Sequence, residues 1–166
     1  MPIKKTPGFT LIELLVVIAI IGVLATLAMV AVSFARERAK VAKAQSEINE
    51  IYKAMAAMAN DTGEWPGHSP VDATSTYSSA NLSSGAVGIV ADDVSGTPFN
   101  NWAGPYMAKI PTDPWGGQYF FRGDYRVDAS NQPGCTSGCT AAAVIGSAGR
   151  DLVGSTTDDV IKVIIK

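Results

Sequence analysis

Apolar side chains run without periodicity from Phe9 to Ala35, where 22 of 27 residues are apolar and Glu13 carries the only charge. A half-buried helix of a globular domain would show a polar face, so this stretch reads as a helix apolar all round. At 1.5 Å per residue it would span roughly 40 Å, longer than a typical bilayer hydrocarbon core. From Arg36 to Asn60 the pattern changes, yet no Gly or Pro interrupts it. Val41, Ala44, Ile48, Ile51, Met55 and Met58 recur at spacings of three and four, while Lys40, Lys43, Glu47, Glu50 and Lys53 fall off that stripe. The two stretches read as one helix from about Phe9 to Asn60, ended by Asp61-Thr62-Gly63 with Gly63 as its cap.

Beyond the helix the periodicity shortens. Residues 64–103 are rich in Gly, Ser, Thr, Asn, Asp and Pro, and Thr74 to Gly85 reads as loop, with a short helical turn expected over Ala86–Val90. Strands are expected over Gln118–Arg122, Ala141–Ser147 and Val160–Ile165, giving a three-stranded antiparallel sheet on the helix. The fold class is α+β.

The chain has 166 residues, a formal net charge of −2, one His and two Cys. That balance argues against a phosphate-neutralising nucleic-acid binder, and the ligand count is too low for the usual four-ligand Cys/His zinc site. His68, after Trp65-Pro66-Gly67, reads as a loop histidine without a catalytic constellation around it. A P-loop is absent, and no nucleophile accompanies the acidic residues, so a membrane-anchored enzyme is a remote alternative.

Glu13 changes the reading of the apolar segment. A secretory signal peptide has a shorter apolar region, and a plain anchor gains nothing from a carboxylate that costs roughly 2.5–3.5 kcal/mol at a helix centre. Were the chain cut after Gly8, Phe9 would carry a free amine one helical turn from Glu13. Lys4-Lys5-Thr6-Pro7-Gly8-Phe9-Thr10-Leu11-Ile12-Glu13-Leu14 resembles the class III signal of type IV prepilins and type II secretion pseudopilins. The resemblance implies a leader over residues 1–8, cleavage between Gly8 and Phe9 by a prepilin peptidase, N-methylation of Phe9, and an assembly ion pair made by Glu13 with a neighbouring subunit. It further implies a transmembrane and polymerisation helix over 9–35 and a periplasmic head over 36–166, the "lollipop" outline of the family. The N-terminus would face the cytoplasm before processing. Basic residues contradict that orientation when simply counted: Lys4 and Lys5 precede the segment, whereas Arg36, Arg38, Lys40 and Lys43 follow it.

The passage Gly104-Pro105-Tyr106…Pro111-Thr112-Asp113-Pro114-Trp115-Gly116-Gly117-Gln118-Tyr119 is similar to the signature of the major pseudopilin of type II secretion. Its prolines forbid regular ladder pairing, and Tyr106, Trp115 and Tyr119 offer apolar faces to clamp the turn onto the helix. Ser147 to Asp159 links the last two expected strands and holds Asp151, Asp158 and Asp159. Hard oxygen donors without nitrogen or sulfur favour Ca²⁺, although acidic loops are commonly just solvated. The resemblance implies a calcium site on Asp151, Asp158 and Asp159, completed by backbone carbonyls near Ala148 and Thr156. Leu152 stands where the family commonly has Gly, and the chain end lacks the family's frequent Trp. Cys135 and Cys139 enclose three residues, and a disulfide is expected for an exported domain.

The resemblance therefore implies a structural subunit of a type II secretion pseudopilus that drives protein export. Implied partners are further copies of the chain, minor pseudopilins, the prepilin peptidase, an inner-membrane assembly platform with its ATPase, and membrane lipid before assembly. The filament would be periplasmic or extracellular. A type IV pilin for adhesion, motility or DNA uptake is the alternative; its larger C-terminal disulfide loop differs from Cys135–Cys139.

Overall fold

The structure, a computed structural model, describes residues 8–71, 80–83, 87–93 and 96–165, the side chain of Ile165 excepted. The leader residues before Gly8, Ala86 of the expected helical turn, and Thr74 to Ser79 of the expected loop lie outside the described residues. In chain order the elements are α1 (Leu11–Thr62), β1 (Glu64–Trp65), β2 (Ser69–Pro70), β3 (Ala80–Asn81), β4 (Phe120–Val127), β5 (Thr140–Ser147) and β6 (Val160–Ile165). Two compact units divide the chain, Met1–Ala39 and Lys40–Lys166.

In the first unit every described residue before Glu37 is exposed, as expected of a helix apolar on all sides. In the second, the predicted stripe packs inward: Ala44, Ile48, Ile51, Met55 and Met58 are buried, and Ala54 and Ala59 widen the face. The helix ends two residues beyond the predicted Asn60, where the Gly63 N–H donates to the Ala59 carbonyl (2.9 Å). Gly63 adopts φ +76°, a left-handed conformation that costs glycine little, which terminates the helix.

The main sheet has four antiparallel strands in the order β3-β4-β5-β6, one more than predicted. The extra strand, β3, lies in the stretch read as loop; Ala80 pairs with Phe121 and Asn81 with Phe120. Strand β4 starts two residues later than predicted and continues to Val127 through an irregularity between Arg122 and Tyr125, where Gly123-Asp124 interrupts the alternation. Strands β5 and β6 match their predicted spans to within one residue. A two-stranded pair, β1 and β2, was not legible and follows the helix directly.

Tyr119, Phe121, Ala143, Ile145 and Val160 join the inner helix face in one core with Leu82, Ile89 and Phe99. On the opposite face Tyr125, Val127, Ala142 and Val144 form a second cluster, so β5 is apolar on both sides. Gly88 lets the 87–93 segment touch the helix, since a methyl group there would stand 2.5 Å from Met58 Cε and 2.7 Å from Phe99 Cε2.

Two tyrosines of the proline-rich passage fasten it to α1. Tyr119, fully buried, donates its hydroxyl to Glu47 Oε2 at 2.5 Å, and Tyr106 donates to Asp61 Oδ2 at 3.0 Å. Glu47, read from the sequence as lying off the packed stripe, is thus half-buried and bonded. Burial, then the Glu47 carboxylate, pushes the Tyr119 phenol well above its ordinary value of 10.0. A raised folded-state value means that the associated stability is complete below pH 10 and is lost as pH rises past it toward ionisation in the fold. Tyr119→Phe is expected to cost about 1.5–3 kcal/mol at neutral pH in urea denaturation. The same variant should lose less stability than the unaltered chain when the pH is raised above 10.

Candidate functional site

The helix of the first unit starts with a reciprocal cap. Thr10 N–H and its hydroxyl both donate to Glu13 Oε2 (2.8 and 2.6 Å), and the Glu13 N–H donates to Thr10 Oγ1 (3.3 Å). This is a Thr-x-x-Glu capping box, which satisfies backbone donors left open at a helix N-terminus. Glu13 was singled out from the sequence for its charge; its tie to Thr10 was missed, although the spacing was legible. Gly8 and Phe9 precede the helix and are exposed, leaving the junction between them accessible. From Leu11 the helix is long and apolar enough to cross a membrane.

The second site lies in the loop between β5 and β6. One carboxylate oxygen from each of Asp151, Asp158 and Asp159 lies within 4.8 Å of the others; the first two residues are exposed and Asp159 is buried. Backbone geometry folds the loop around them. Gly149 takes φ +66°, and a methyl group there would stand 2.3 Å from the Asp158 carbonyl oxygen, so the loop's two ends meet only because residue 149 lacks a side chain. Asp158 Oδ2 accepts the N–H groups of Arg150 (2.9 Å) and Asp151 (3.1 Å). Asp159 Oδ2 accepts the Ser155 N–H (2.8 Å) and the hydroxyl of buried Tyr125.

Thr156 sits at the centre. Its Oγ1 lies 3.0 Å from the Val153 carbonyl, 2.7 Å from Asp158 Oδ1 and 3.0 Å from Asp159 Oδ1. A hydroxyl has one proton to donate, so three acceptors converge on a single hydrogen. The Thr156 hydroxyl, followed by backbone N–H groups, holds the Asp158 carboxyl below its ordinary value. The donor set is all oxygen, rich in acceptors and poor in protons, which is the chemistry that suits a hard divalent cation. Thr156 enters through its hydroxyl, a group the sequence reading did not single out. Ala148 lies at the start of the loop, half-buried.

Three supporting residues were also missed. Asp113, 4 % exposed, accepts the N–H of Trp115 (3.0 Å) and of Gly117 (2.6 Å) and the hydroxyl of Ser147 (2.5 Å). Ser147 Oγ in turn accepts the Gly149 N–H (3.1 Å), so the Pro-Trp turn is wired to the base of the acidic loop. Tyr125 reaches Asp159 from β4. The bonds of Asp113 within its turn are local, and the Pro-x-Asp-Pro-Trp-Gly spacing hinted at them; the Ser147–Asp113 and Tyr125–Asp159 bonds depend on tertiary pairing. Cys135 and Cys139 are joined, with Cα atoms 5.8 Å apart. His68 is half-buried in the β1–β2 turn, stacked on Phe99 with ring centroids 3.8 Å apart, its Nδ1 2.6 Å from Glu64 Oε2.

Residues 3–29 match the prokaryotic N-terminal methylation motif, and residues 31–151 match the family described as type II secretion system (T2SS), protein G. The chain belongs to this protein G family and is a structural subunit of the secretion pseudopilus. The type IV pilin alternative is not favoured. Among solved structures, the major pseudopilin from the type 2 secretion system of enterohaemorrhagic Escherichia coli is similar. It is 21 % identical, covers 78 % of this chain and 91 % of that one, and has a TM-score of 0.49. No curated protein matches the chain.

Asp113→Ala would leave the part-buried N–H groups of Trp115 and Gly117 and the buried Ser147 hydroxyl without their acceptor. The expected loss is about 3 kcal/mol or more in chemical denaturation; a loss under 1 kcal/mol would contradict the wiring described.

Proposed function

We propose that the chain is made as an inner-membrane precursor, cut between Gly8 and Phe9, methylated at Phe9, and then added to a filament through its apolar helix. The observation that carries this reading is the first part of the helix, Leu11 to Ala35, wholly exposed and free of charge except at Glu13. An exposed apolar surface of this extent is incompatible with water and fits lipid or other copies of itself. Glu13 then pairs with the Phe9 amine of a neighbouring copy, exchanging Thr10 for a charged partner. Such a buried pair sets register more than stability. Partners follow from the same reading: like subunits, minor pseudopilins, the prepilin peptidase, and an assembly platform whose ATPase supplies the work. The periplasmic head carries no catalytic role in this scheme. With Glu13→Ala, the chain should be processed normally and remain in the membrane fraction, while filaments recovered from sheared cells fall sharply. Unchanged filament yield would sink this use of Glu13.

Ca²⁺ is the ligand proposed for the acidic loop. Asp151, Asp158 and Asp159 would hold it, with the Thr156 hydroxyl and carbonyls of the loop near Ala148 and Thr156 as further oxygen donors. A bound cation would supply the positive charge that three converging carboxylates otherwise lack. Binding confined to the fold stabilises by mass action, about 2.7 kcal/mol at a hundredfold excess over the dissociation constant. Full-length protein in detergent should therefore melt several degrees higher in millimolar calcium than in excess chelator. Identical melting curves would remove calcium from the account.

A further inference from the structure

Asp158 and Asp159 are approached by two contacts from a single hairpin, formed by β4, β5 and their connecting turn. One is the hydroxyl of Tyr125, a residue 1 % exposed, which donates to Asp159 Oδ2. The other is at Gly134, in the turn. Gly134 has φ +73°, and a methyl group there would stand 2.6 Å from Thr157 Cγ2, 3.0 Å from Thr157 N and 3.1 Å from Thr157 Cα. The turn backbone thus lies directly against the residue that precedes Asp158, at a distance no side chain would permit.

The next residue after Gly134 is Cys135, and its partner Cys139 is the last residue before β5. The disulfide consequently ties the chain beside the Thr157 contact to the fixed end of a strand. Between the two cysteines run Thr136, Ser137 and Gly138, small residues with nothing large to pack; all three are exposed. A cross-link over so short a loop removes little entropy from the unfolded chain. Its effect is local, and what it steadies locally is Gly134 against Thr157.

Three carboxylates held together repel one another, so a free loop would spread and would have to be gathered again on binding a cation. Holding the acids together beforehand removes that ordering cost from the binding step. We infer that the β4–β5 hairpin is the positioning element of the acidic loop: Tyr125 and the disulfide-anchored Gly134 hold Asp158 and Asp159 in place for a divalent cation. This inference rests on the calcium reading given above and concerns residues which that reading does not use.

The test is calcium titration by calorimetry on full-length protein in detergent, for the unaltered chain, the double variant Cys135→Ser/Cys139→Ser, and Tyr125→Phe. Each variant is also melted in excess chelator and in saturating calcium. Both variants should bind calcium about tenfold more weakly, the size usual for groups that orient metal ligands. In chelator the double cysteine variant should melt close to the unaltered chain, whereas Tyr125→Phe, stripped of its bond to buried Asp159, should melt lower; in both, the gap between the calcium and chelator melts narrows. Equal affinity in the double cysteine variant and the unaltered chain would overturn the inference. So would a drop in melting temperature of the same size with and without calcium, because that is the signature of a merely structural cross-link. If the unaltered chain takes up no calcium, the ion assignment itself falls, an outcome distinct from the other two.

Discussion

Asp113 sits almost out of reach of water, and a buried carboxylate is costly unless its oxygens are fully bonded. Here they accept two N–H groups from the turn that follows and one hydroxyl from the end of β5. Those bonds fix the direction in which the chain leaves Pro114-Trp115 and enters the sheet. Tyr119, two residues beyond the turn, is thereby delivered to Glu47 on the helix. At the other end Ser147 passes the constraint to Gly149 and so to the base of the acidic loop. Helix, sheet and loop are positioned by one short polar network rather than by apolar burial alone.

The helix combines two kinds of surface without a break between them. Ala, Lys, Glu and Arg keep the propensity high from Arg36 to Asn60, and Thr10 with Glu13 closes the start. What changes along it is the environment each half requires. The later turns present one apolar stripe to a sheet, while the earlier turns present apolar groups in all directions. Backbone groups in such a segment are satisfied internally, so it needs no polar neighbour anywhere along its flank.

Much of this was legible because it is periodic. Val41 to Met58 announced a packed helix face, Phe9 to Ala35 an unpartnered one, and Val160 to Ile165 a strand. The aspartates were visible as residue types, but composition alone does not set Asp151, Asp158 and Asp159 apart from a solvated acidic loop, and the calcium expectation came from the spacing shared with a known family. Strand β3 could not be read, since two residues carry no alternation and their pairing is supplied by Phe120 and Phe121 far along the chain. The extent of β4 was hidden by Gly123-Asp124, where an irregularity shifts the face on which side chains fall. Tyr125 looks like any strand aromatic until the fold brings Asp159 beneath its hydroxyl. The Thr156 hydroxyl was overlooked because threonine in a Ser/Thr-rich loop carries no signal of its own.

The exposed flank of α1 also has a bearing on energetics. Acyl chains and the side chains of a like helix are equally apolar, so passing from one to the other involves almost no hydrophobic gain. In the proposed scheme, joining a filament would then be a partition between two oily phases, close to balance before specific contacts are counted. A subunit so constituted would, in that scheme, be drawn out of the bilayer or returned to it by modest mechanical work. The direction would then be set by polar contacts such as those of Glu13 and by the assembly machinery proposed above.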